Sequence, residues 1–584
     1  MEEKKIIKVI GGGLAGTEAA WQLAEAIRKY NFPYHVELYE MRPQVKTPAH
    51  HTDRLAELVC SNSLGSEYLT TARGVLINEM QQFDSLIISS AIKAKVPAGQ
   101  ALAVDRDVFG HEVTTAIEKH SHITLVREEF RESLKDYLKK DDYIVIATGP
   151  LSSESIAKEI QELLKAVCHS ESLRRSAPLD RLCEESNLGN LAKIDPLDSS
   201  PPVQNDTSFL NFFDAASPIL TAESIDMDIA YKGSRYDKHS KMGSEQKQLS
   251  TVSAVPGDSA SSLNPSDSAT PEGDYINCPF YSQDEFDNFY KELIKAERMS
   301  QKEFEKENFR YFQACMPIEA IADKGAQTLT FGPMKPKGLR DPRDPERKAV
   351  AVVQLRQDNV IGSLYNIVGF QTNLKWGEQK RVFSMIPGLK DIEIVRYGVM
   401  HQNIFINSPL FLNADMSLKR HFEPSEKSNA EFIAKVDPLD SSVSPRNDNI
   451  YFAGQITGVE GYTESAASGI IAARSIINKI KRHPEGATQP KDPMQKLDWS
   501  TGSFANTQDD ILPKETMMGA LANYISSCDP KRFQPINSNW GLINTEPENL
   551  EKQYRKNKKL RYEFLGNRAL DLIRKSAKHE LVTQ

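Results

Sequence analysis

The chain has 584 residues, 39% of them hydrophobic and 26% charged, with a formal net charge of −8. This length exceeds what one hydrophobic core serves, so two or three domains are expected, and no apolar run is long enough for a transmembrane protein. The acidic balance excludes a strongly basic nucleic-acid-binding chain, and the first residues do not have the pattern of a secretory signal.

The first predicted elements are a strand, a glycine-rich turn, a helix and a second strand. Residues 6–10 (IIKVI) are a short β-branched run, and residues 34–39 (YHVELY) form a second one that ends in Glu40. A glycine triplet between strand and helix lets the backbone approach a pyrophosphate, and a carboxylate ending the second strand can accept hydrogen bonds from ribose hydroxyls. The predicted dinucleotide-binding residues are Gly11, Gly12, Gly13, Leu14, Ala15, Gly16 and Glu40.

The bound dinucleotide could be NAD or FAD, and two later segments favour FAD. Residues 142–149 (DYIVIATG) and 449–455 (NIYFAGQ) are predicted strands that end in glycine, and the second precedes a helix start rich in small residues. We therefore add Gly454 to the predicted cofactor site. Arg42, two residues after Glu40, is predicted either to pair with a phosphate or to face solvent.

Six cysteines lie along the chain without short paired spacings, which argues against a disulfide framework or a metal site and favours a reducing cytoplasm. Cys60 lies in LVCSNSL and Cys315 in CMPIE, while Cys168, Cys183, Cys278 and Cys528 lack such surroundings. A single cysteine is more often a small buried hydrophobe than a reactive group, and reactivity depends on a thiol pKa that sequence does not give.

Several motifs together resemble one family. They are GGGLAGTE from Gly11, EMRP from Glu40, LVCSNSL around Cys60, CMPIE from Cys315, YNIVGFQT from Tyr365, KWGEQKR from Lys375 and GYTE from Gly461. With these motifs the chain is identified as a member of the folate- and FAD-dependent tRNA (uracil-5-)-methyltransferases, the TrmFO family in the GidA-related flavoprotein group. The resemblance covers nearly everything outside three inserts, and Gln402 departs from it where the family usually has Arg.

The resemblance implies a reaction and a set of residues. Methylenetetrahydrofolate would donate a one-carbon unit, reduced FAD the reducing equivalents and NAD(P)H the electrons for the flavin, so that C5 of a T-loop uridine in tRNA becomes methylated. Cys60 and Cys315 are the implied catalytic thiols, one adding to uracil C6 and a second group removing the C5 proton, with the assignment between them open. His401 is either a structural histidine or the implied partner that stacks the folate. Trp376 is either a core or surface residue or a substrate contact, and it is assigned with His401 to the folate site.

The expected fold class is α/β, with a discontinuous FAD-binding Rossmann-like domain of the two-dinucleotide-binding type formed by residues 1–151 and 395–482. An α/β substrate and tRNA domain, residues 208–391, is inserted into it, and residues 483–584 pack back on the body. Three low-complexity inserts are expected at residues 170–205, 238–274 and 419–447. Basic runs at 335–343, 375–381 and 552–561 are either solvated faces or contacts to tRNA phosphates.

Two alternatives remain at this point. One is a GidA-type enzyme that modifies the wobble uridine with similar cofactors. The other is a flavin oxidoreductase, or an RNA-binding flavoprotein, that does not methylate.

Overall fold

The structure is a computed structural model that describes residues 4–47, 49–140, 142–172, 209–237, 273–299, 316–419, 449–482, 512–543 and 557–582. The three predicted inserts fall largely outside these ranges, and Cys183 and Cys315 fall outside them entirely. Within these ranges no helix is long and apolar enough to cross a membrane.

Strands and helices alternate over the first part of the described chain. The strands are β1 (Lys5–Ile10), β2 (Tyr34–Tyr39), β3 (Ser63–Ser66), β4 (Lys95–Val96), β5 (Ala101–Val104), β6 (Ile123–Val126), β7 (Ile144–Ile146), β8 (Phe209–Ala215), β9 (Ile219–Thr221), β10 (Tyr231–Gly233), β11 (Tyr275–Phe280), β12 (Ala351–Gln357), β13 (Leu364–Ile367), β14 (Ile394–Arg396), β15 (Met400–Ile406) and β16 (Ile450–Phe452). The helices are α1 (Leu14–Tyr30), α2 (Ala72–Gln81), α3 (Leu86–Lys93), α4 (Arg106–Lys119), α5 (Glu154–Ser172), α6 (Gln283–Lys295), α7 (Ile318–Ala322), α8 (Ala326–Phe331), α9 (Trp376–Phe383), α10 (Ser408–Phe411), α11 (Tyr462–Arg482), α12 (Met517–Ser527) and α13 (Lys558–Val582).

Five parallel strands in the order β16-β7-β1-β2-β6 form the first sheet. Its central strand is covered on both faces at its end, with Ile7 and Val9 at 0% exposure on one face and Ile10 at 4% on the other. Helices α1 and α11 pack closely against each other next to this sheet. We call this sheet with α1, α5 and α11 the parallel half, and it confirms the predicted α/β class.

Six strands in the order β10-β11-β12-β13-β9-β14 form a second sheet, which is antiparallel. Aromatic side chains of this sheet and the helices packed on it, among them Phe280, Phe289, Phe370 and Phe383, are fully buried in a separate core. We call this sheet with α6 to α9 the antiparallel half. A two-stranded ribbon, β8 with β15, and a small sheet of β3, β5 and β4 complete the strands.

The C-terminal helices pack against α2. The buried carboxylate of Glu79 on α2 accepts hydrogen bonds from the backbone N–H groups of Met517 and Met518, at 2.7 and 2.8 Å. These are first-turn amides of α12 that have no partner inside their own helix, so Glu79 caps α12 from outside. Helix α13 approaches α2 through Gly566, which faces the Leu69 carbonyl.

Candidate functional site

Close packing requires glycine at two positions of the turn after β1. Gly11 has φ +107°, and a Cβ there would lie 2.3 Å from the Ala147 carbonyl oxygen at the end of β7. A Cβ on Gly16 would lie 1.8 Å from the Gly11 carbonyl oxygen. Strand, turn and helix can therefore meet only with glycine at both positions.

Gly13 serves a different purpose, because a Cβ there would meet nothing within 4 Å. Gly149, at the end of β7, likewise has open space in place of a side chain. Both positions border a cleft that is open to solvent. Bare backbone and first-turn amides of α1 therefore face a space that a pyrophosphate fits, because the helix N-terminus favours negative charge.

Most of the predicted cofactor residues line the cleft. Gly16 is the exception, since it packs inside the turn. Two later segments close the cleft from the other side, the turn at Gly454 and the start of α11 at Tyr462. The predicted residues that line it are Gly11, Gly12, Gly13, Leu14, Ala15, Glu40, Arg42 and Gly454.

Glu40 and Arg42 form a buried ion pair at the end of β2. Oε1 of Glu40 accepts from the Arg42 backbone N–H and Nε, each at 2.9 Å, and Oε2 accepts from the Gly12 N–H at 3.2 Å. Nη1 of Arg42 donates to Glu57 at 2.9 Å. Burial raises the pKa of Glu40, but the hydrogen bonds and charge of Arg42 outweigh it and hold the pKa below its usual range. The prediction that Arg42 could face solvent is wrong, because its side chain is 4% exposed and held between two carboxylates.

Cys60 lies in a segment of residues 58–62, here called the thiol loop, close to the start of α11. The Tyr462 hydroxyl oxygen is 2.9 Å from the Cys60 backbone N, 3.1 Å from the Ser61 backbone N and 3.1 Å from Cys60 Sγ. A hydroxyl has two lone pairs and one hydrogen, so the two N–H donors occupy its lone pairs and its hydrogen is left for the sulfur. Burial, and after it the charge of Cys60, raises the pKa of Tyr462 well above 10, so the hydroxyl keeps that hydrogen.

Three arginines surround the thiol loop from three different elements. Arg106 of α4 donates to the Leu58 carbonyl at 3.1 Å, and Arg396 of β14 donates to the Val59 carbonyl at 3.1 Å. Arg356 of β12 donates to Asn62 Oδ1 at 2.8 Å and to Ser61 Oγ at 2.9 Å. Two strands of the antiparallel half and helix α4 therefore hold the thiol loop in place.

The other two thiols whose side chains the structure describes have raised pKa values. Cys278 is fully buried in the antiparallel core, where burial raises its pKa far above the usual range. Burial also raises the pKa of the half-buried Cys528. Cys60 differs from both by the arginines that bond its loop.

The remaining predicted site residues lie in or next to the antiparallel half. His401 is in β15, and its side chain, like that of Cys168, is outside the described part. Trp376 does not line the cleft: it begins α9, is 56% exposed and stacks on Tyr397 with ring centroids 5.5 Å apart. Near Cys315, Glu319 is buried and accepts from Thr372 Oγ1 and the Asn373 N–H.

Sequence reasoning missed Tyr462, Arg106, Arg356 and Arg396 as members of the site. Tyr462 lies in a motif that was used only for the family resemblance, and its place at the start of a helix near a cleft was the available signal. The sequence around the three arginines gave no signal that they belong to the site. Arg356 is one residue of an ordinary strand, 294 positions from Asn62.

Comparisons with known proteins agree on one family. Residues 6–255, 258–423 and 431–484 match the family described as Glucose inhibited division protein A. A protein of Brevibacillus brevis is 42% identical over 97% of this chain and 97% of its own length, and one of Staphylococcus saprophyticus is 42% identical over 97% and 98%. One of Listeria innocua is 41% identical over 98% and 99%. All three are named methylenetetrahydrofolate–tRNA-(uracil-5-)-methyltransferase TrmFO.

Solved structures of GidA from Aquifex aeolicus resemble the fold. The form II crystal structure has a TM-score of 0.52 and 14% identity, covering 100% of this chain and 76% of that one. The form I structure has a TM-score of 0.51. At this identity the likeness concerns the fold.

Proposed function

This chain belongs to the Glucose inhibited division protein A family, among its TrmFO methyltransferases, and on that premise we propose that it methylates C5 of a T-loop uridine in tRNA. The one-carbon donor is methylenetetrahydrofolate, and NAD(P)H supplies the electrons. As a tRNA-modifying enzyme whose cysteines lack short paired spacings, it works in the cytoplasm.

One observation supports this proposal best. Tyr462 lines the cleft and its hydroxyl lies 3.1 Å from Cys60 Sγ. The side chain of Tyr462 therefore borders the cleft and also contacts the thiol of Cys60. A reaction that needs both a redox cofactor and a nucleophile or base requires this proximity.

The residues in the cleft fit FAD. Its pyrophosphate would lie against the bare backbone at Gly13 and the first turn of α1, where neither a side chain nor another helix fills the space. Glu40, fixed by Arg42, faces the ribose end of that path. When bound, FAD supplies the reducing equivalents that convert a transferred methylene group into a methyl group.

Cys60 performs one of the two steps that uracil requires. C5 of uracil becomes nucleophilic when a group adds to C6, and the C5 proton must leave afterwards. Cys60 and Cys315 share these steps. Cys315 precedes Met316 in the sequence, and Met316 leads into α7 of the antiparallel half. The folate binds between the thiol loop and the cleft. There β15, the strand that contains His401, contacts the turn after Gly454.

The same contacts support the proposed domain organisation. Residues 1–151 and 395–482 form the cofactor-binding domain, as supported by the parallel pairing of β16 with β7. Residues 208–391 form the inserted domain. This insertion accounts for the position of the thiol loop beside β12.

The tRNA phosphates contact basic residues whose charge is not taken up by an ion pair with a described carboxylate. Lys375 pairs with Glu297, and Arg381 pairs with Glu292 and Glu378, so the run at 375–381 offers little net charge. By contrast, Lys337 and Arg340 are exposed in the run at 335–343. The exposed Lys558 and Lys559 at the start of α13 extend the phosphate-binding surface.

The test is transfer of label from methylenetetrahydrofolate, labelled in its one-carbon unit, to a tRNA transcript in the presence of NAD(P)H. We expect label in the T-loop uridine and none in a transcript that carries cytidine at this position. Label in the anticodon instead would contradict the proposal and indicate a wobble-uridine enzyme. A yellow protein that transfers no label would contradict it in favour of a flavoprotein of another activity.

A further inference from the structure

Arg356 is a buried cation without a carboxylate partner. Its side chain lies under the thiol loop, the residue is 8% exposed, and its donors go to the neutral oxygens of Asn62 and Ser61. Among the described residues no carboxylate comes within 4.0 Å of it. A buried charge that is hydrogen-bonded but not paired costs free energy, so a negative group is expected nearby.

The neighbouring carboxylates are already paired with other arginines. Asp358, two residues further along, accepts from Arg106 in an ion pair in which both side chains are largely buried. Glu57 accepts from Arg42 at 2.9 Å. Tyr275 and Tyr462 are neutral hydroxyls at ordinary pH because burial raises the pKa of each. Among the described groups whose charge acts on Arg356, Arg106 is a like charge that is paired with Asp358, and Cys60 remains.

We propose that Arg356 is the counter-ion of a Cys60 thiolate in the resting enzyme. The proposal rests on the function proposed above, in which Cys60 is a reacting thiol, and it names the residue that prepares this thiol. Arg356 acts through Cys60 and the loop that bears it, so it is a positioning residue.

Two features of the loop agree with a negative sulfur. The Tyr462 hydroxyl has only its hydrogen left for Sγ, so the sulfur acts as the acceptor. Burial is the largest cause that lowers the pKa of Arg356, and the charge of Cys60 acts against it, so cation and thiolate stabilise each other. Arg396 adds positive charge from β14, and it too has no carboxylate within 4.0 Å among the described residues.

The test measures the alkylation rate of Cys60 by iodoacetamide against pH, read by mass spectrometry of the peptide that contains Cys60. The full-length protein with its flavin is used, and methyl transfer is not needed. In the wild type we expect a midpoint below the ordinary value of about 8.5 for a free thiol. A midpoint at or above that value would overturn the proposal without any variant, whether or not the enzyme methylates tRNA.

Two substitutions separate charge from geometry. Arg356→Gln removes the charge, so the midpoint should rise by about one pH unit and the rate at neutral pH should fall about tenfold. Arg356→Lys keeps the charge but not the two-pronged donor, so its midpoint should stay close to that of the wild type. Equal shifts in both variants would show that Arg356 only shapes the loop, and no shift in either would show that its charge is irrelevant.

A matched control removes an arginine of the antiparallel half that does have a carboxylate partner. Arg298 pairs with Asp323 at 2.7 Å. Arg298→Gln should leave the Cys60 midpoint unchanged. A shift as large as that of Arg356→Gln would contradict the proposal, because loss of any arginine in this half would then be sufficient.

Discussion

The glycine turn and the thiol loop border the same cleft, but they are built in different ways. The glycine turn is formed by residues 11–16, and its neighbouring ion pair of Glu40 and Arg42 is electrically compensated. The thiol loop is held by Arg356, Arg396 and Tyr462, which are 294 to 402 positions from their partners. In the described part of the chain, neither arginine has a carboxylate within 4.0 Å. Cofactor binding therefore depends on local backbone geometry, whereas thiol chemistry depends on how the two halves meet.

The largest effect is expected from two glycines of the turn. Gly16→Val places a side chain against the Gly11 carbonyl, where even a Cβ would be 1.8 Å away, and should abolish folding. Gly13→Val points into open space and should fold with near-normal stability but bind no flavin. Circular dichroism and flavin absorbance distinguish the two outcomes. A yellow Gly13→Val protein would contradict the assignment of the turn to the pyrophosphate.

A smaller effect is expected at the point where the cleft meets the thiol loop. Tyr462→Phe removes the acceptor of two backbone N–H groups and the donor to Cys60, so methyl transfer should fall about tenfold to a hundredfold. Flavin content should stay normal. Tyr524→Phe is the control, because this hydroxyl bonds the Gln534 carbonyl elsewhere. Equal losses in both variants would argue against a special role of Tyr462.

Glu79 of α2 tests whether a buried ionisable group away from the thiol loop makes stability depend on pH. Burial raises the pKa of Glu79 to about 8, so the folded chain holds a proton that the unfolded chain releases above its ordinary pKa of 4.5. The contribution of Glu79 to the free energy of unfolding is complete below pH 4.5. It falls by up to about 1.4 kcal/mol per pH unit as the pH rises towards 8. In Glu79→Gln this part of the pH dependence should vanish in urea unfolding, and an unchanged slope would contradict it.

The smallest effect is expected at the surface of the antiparallel half. Trp376 is exposed, stacks on Tyr397 and does not line the cleft. Trp376→Ala should therefore weaken tRNA binding by no more than about tenfold, the value of one stacked base, and leave the KM for folate unchanged. A selective rise in the KM for folate would restore the original prediction that Trp376 contacts this substrate.

The same contrast explains what sequence could predict. Sequence could predict the βαβ unit, the buried strand at residues 144–146 and the last strand at 450–452. This is because hydrophobic periodicity, glycine spacing and strand composition are local signals. Arg356 was not predictable, since an arginine in a strand becomes informative only when the fold brings it to Asn62. Arg42 was predicted to pair with phosphate or face solvent because sequence shows its neighbour Glu40 but not the burial that pairs them.

The central claim is that Cys60, held between the two halves, takes part in methyl transfer. The most direct measurement compares label transfer to tRNA and flavin content in Cys60→Ala and in Cys528→Ala, whose thiol lies in other surroundings. The account predicts that Cys60→Ala keeps its flavin and transfers no label, while Cys528→Ala transfers label at the rate of the wild type. Wild-type transfer by Cys60→Ala would contradict it.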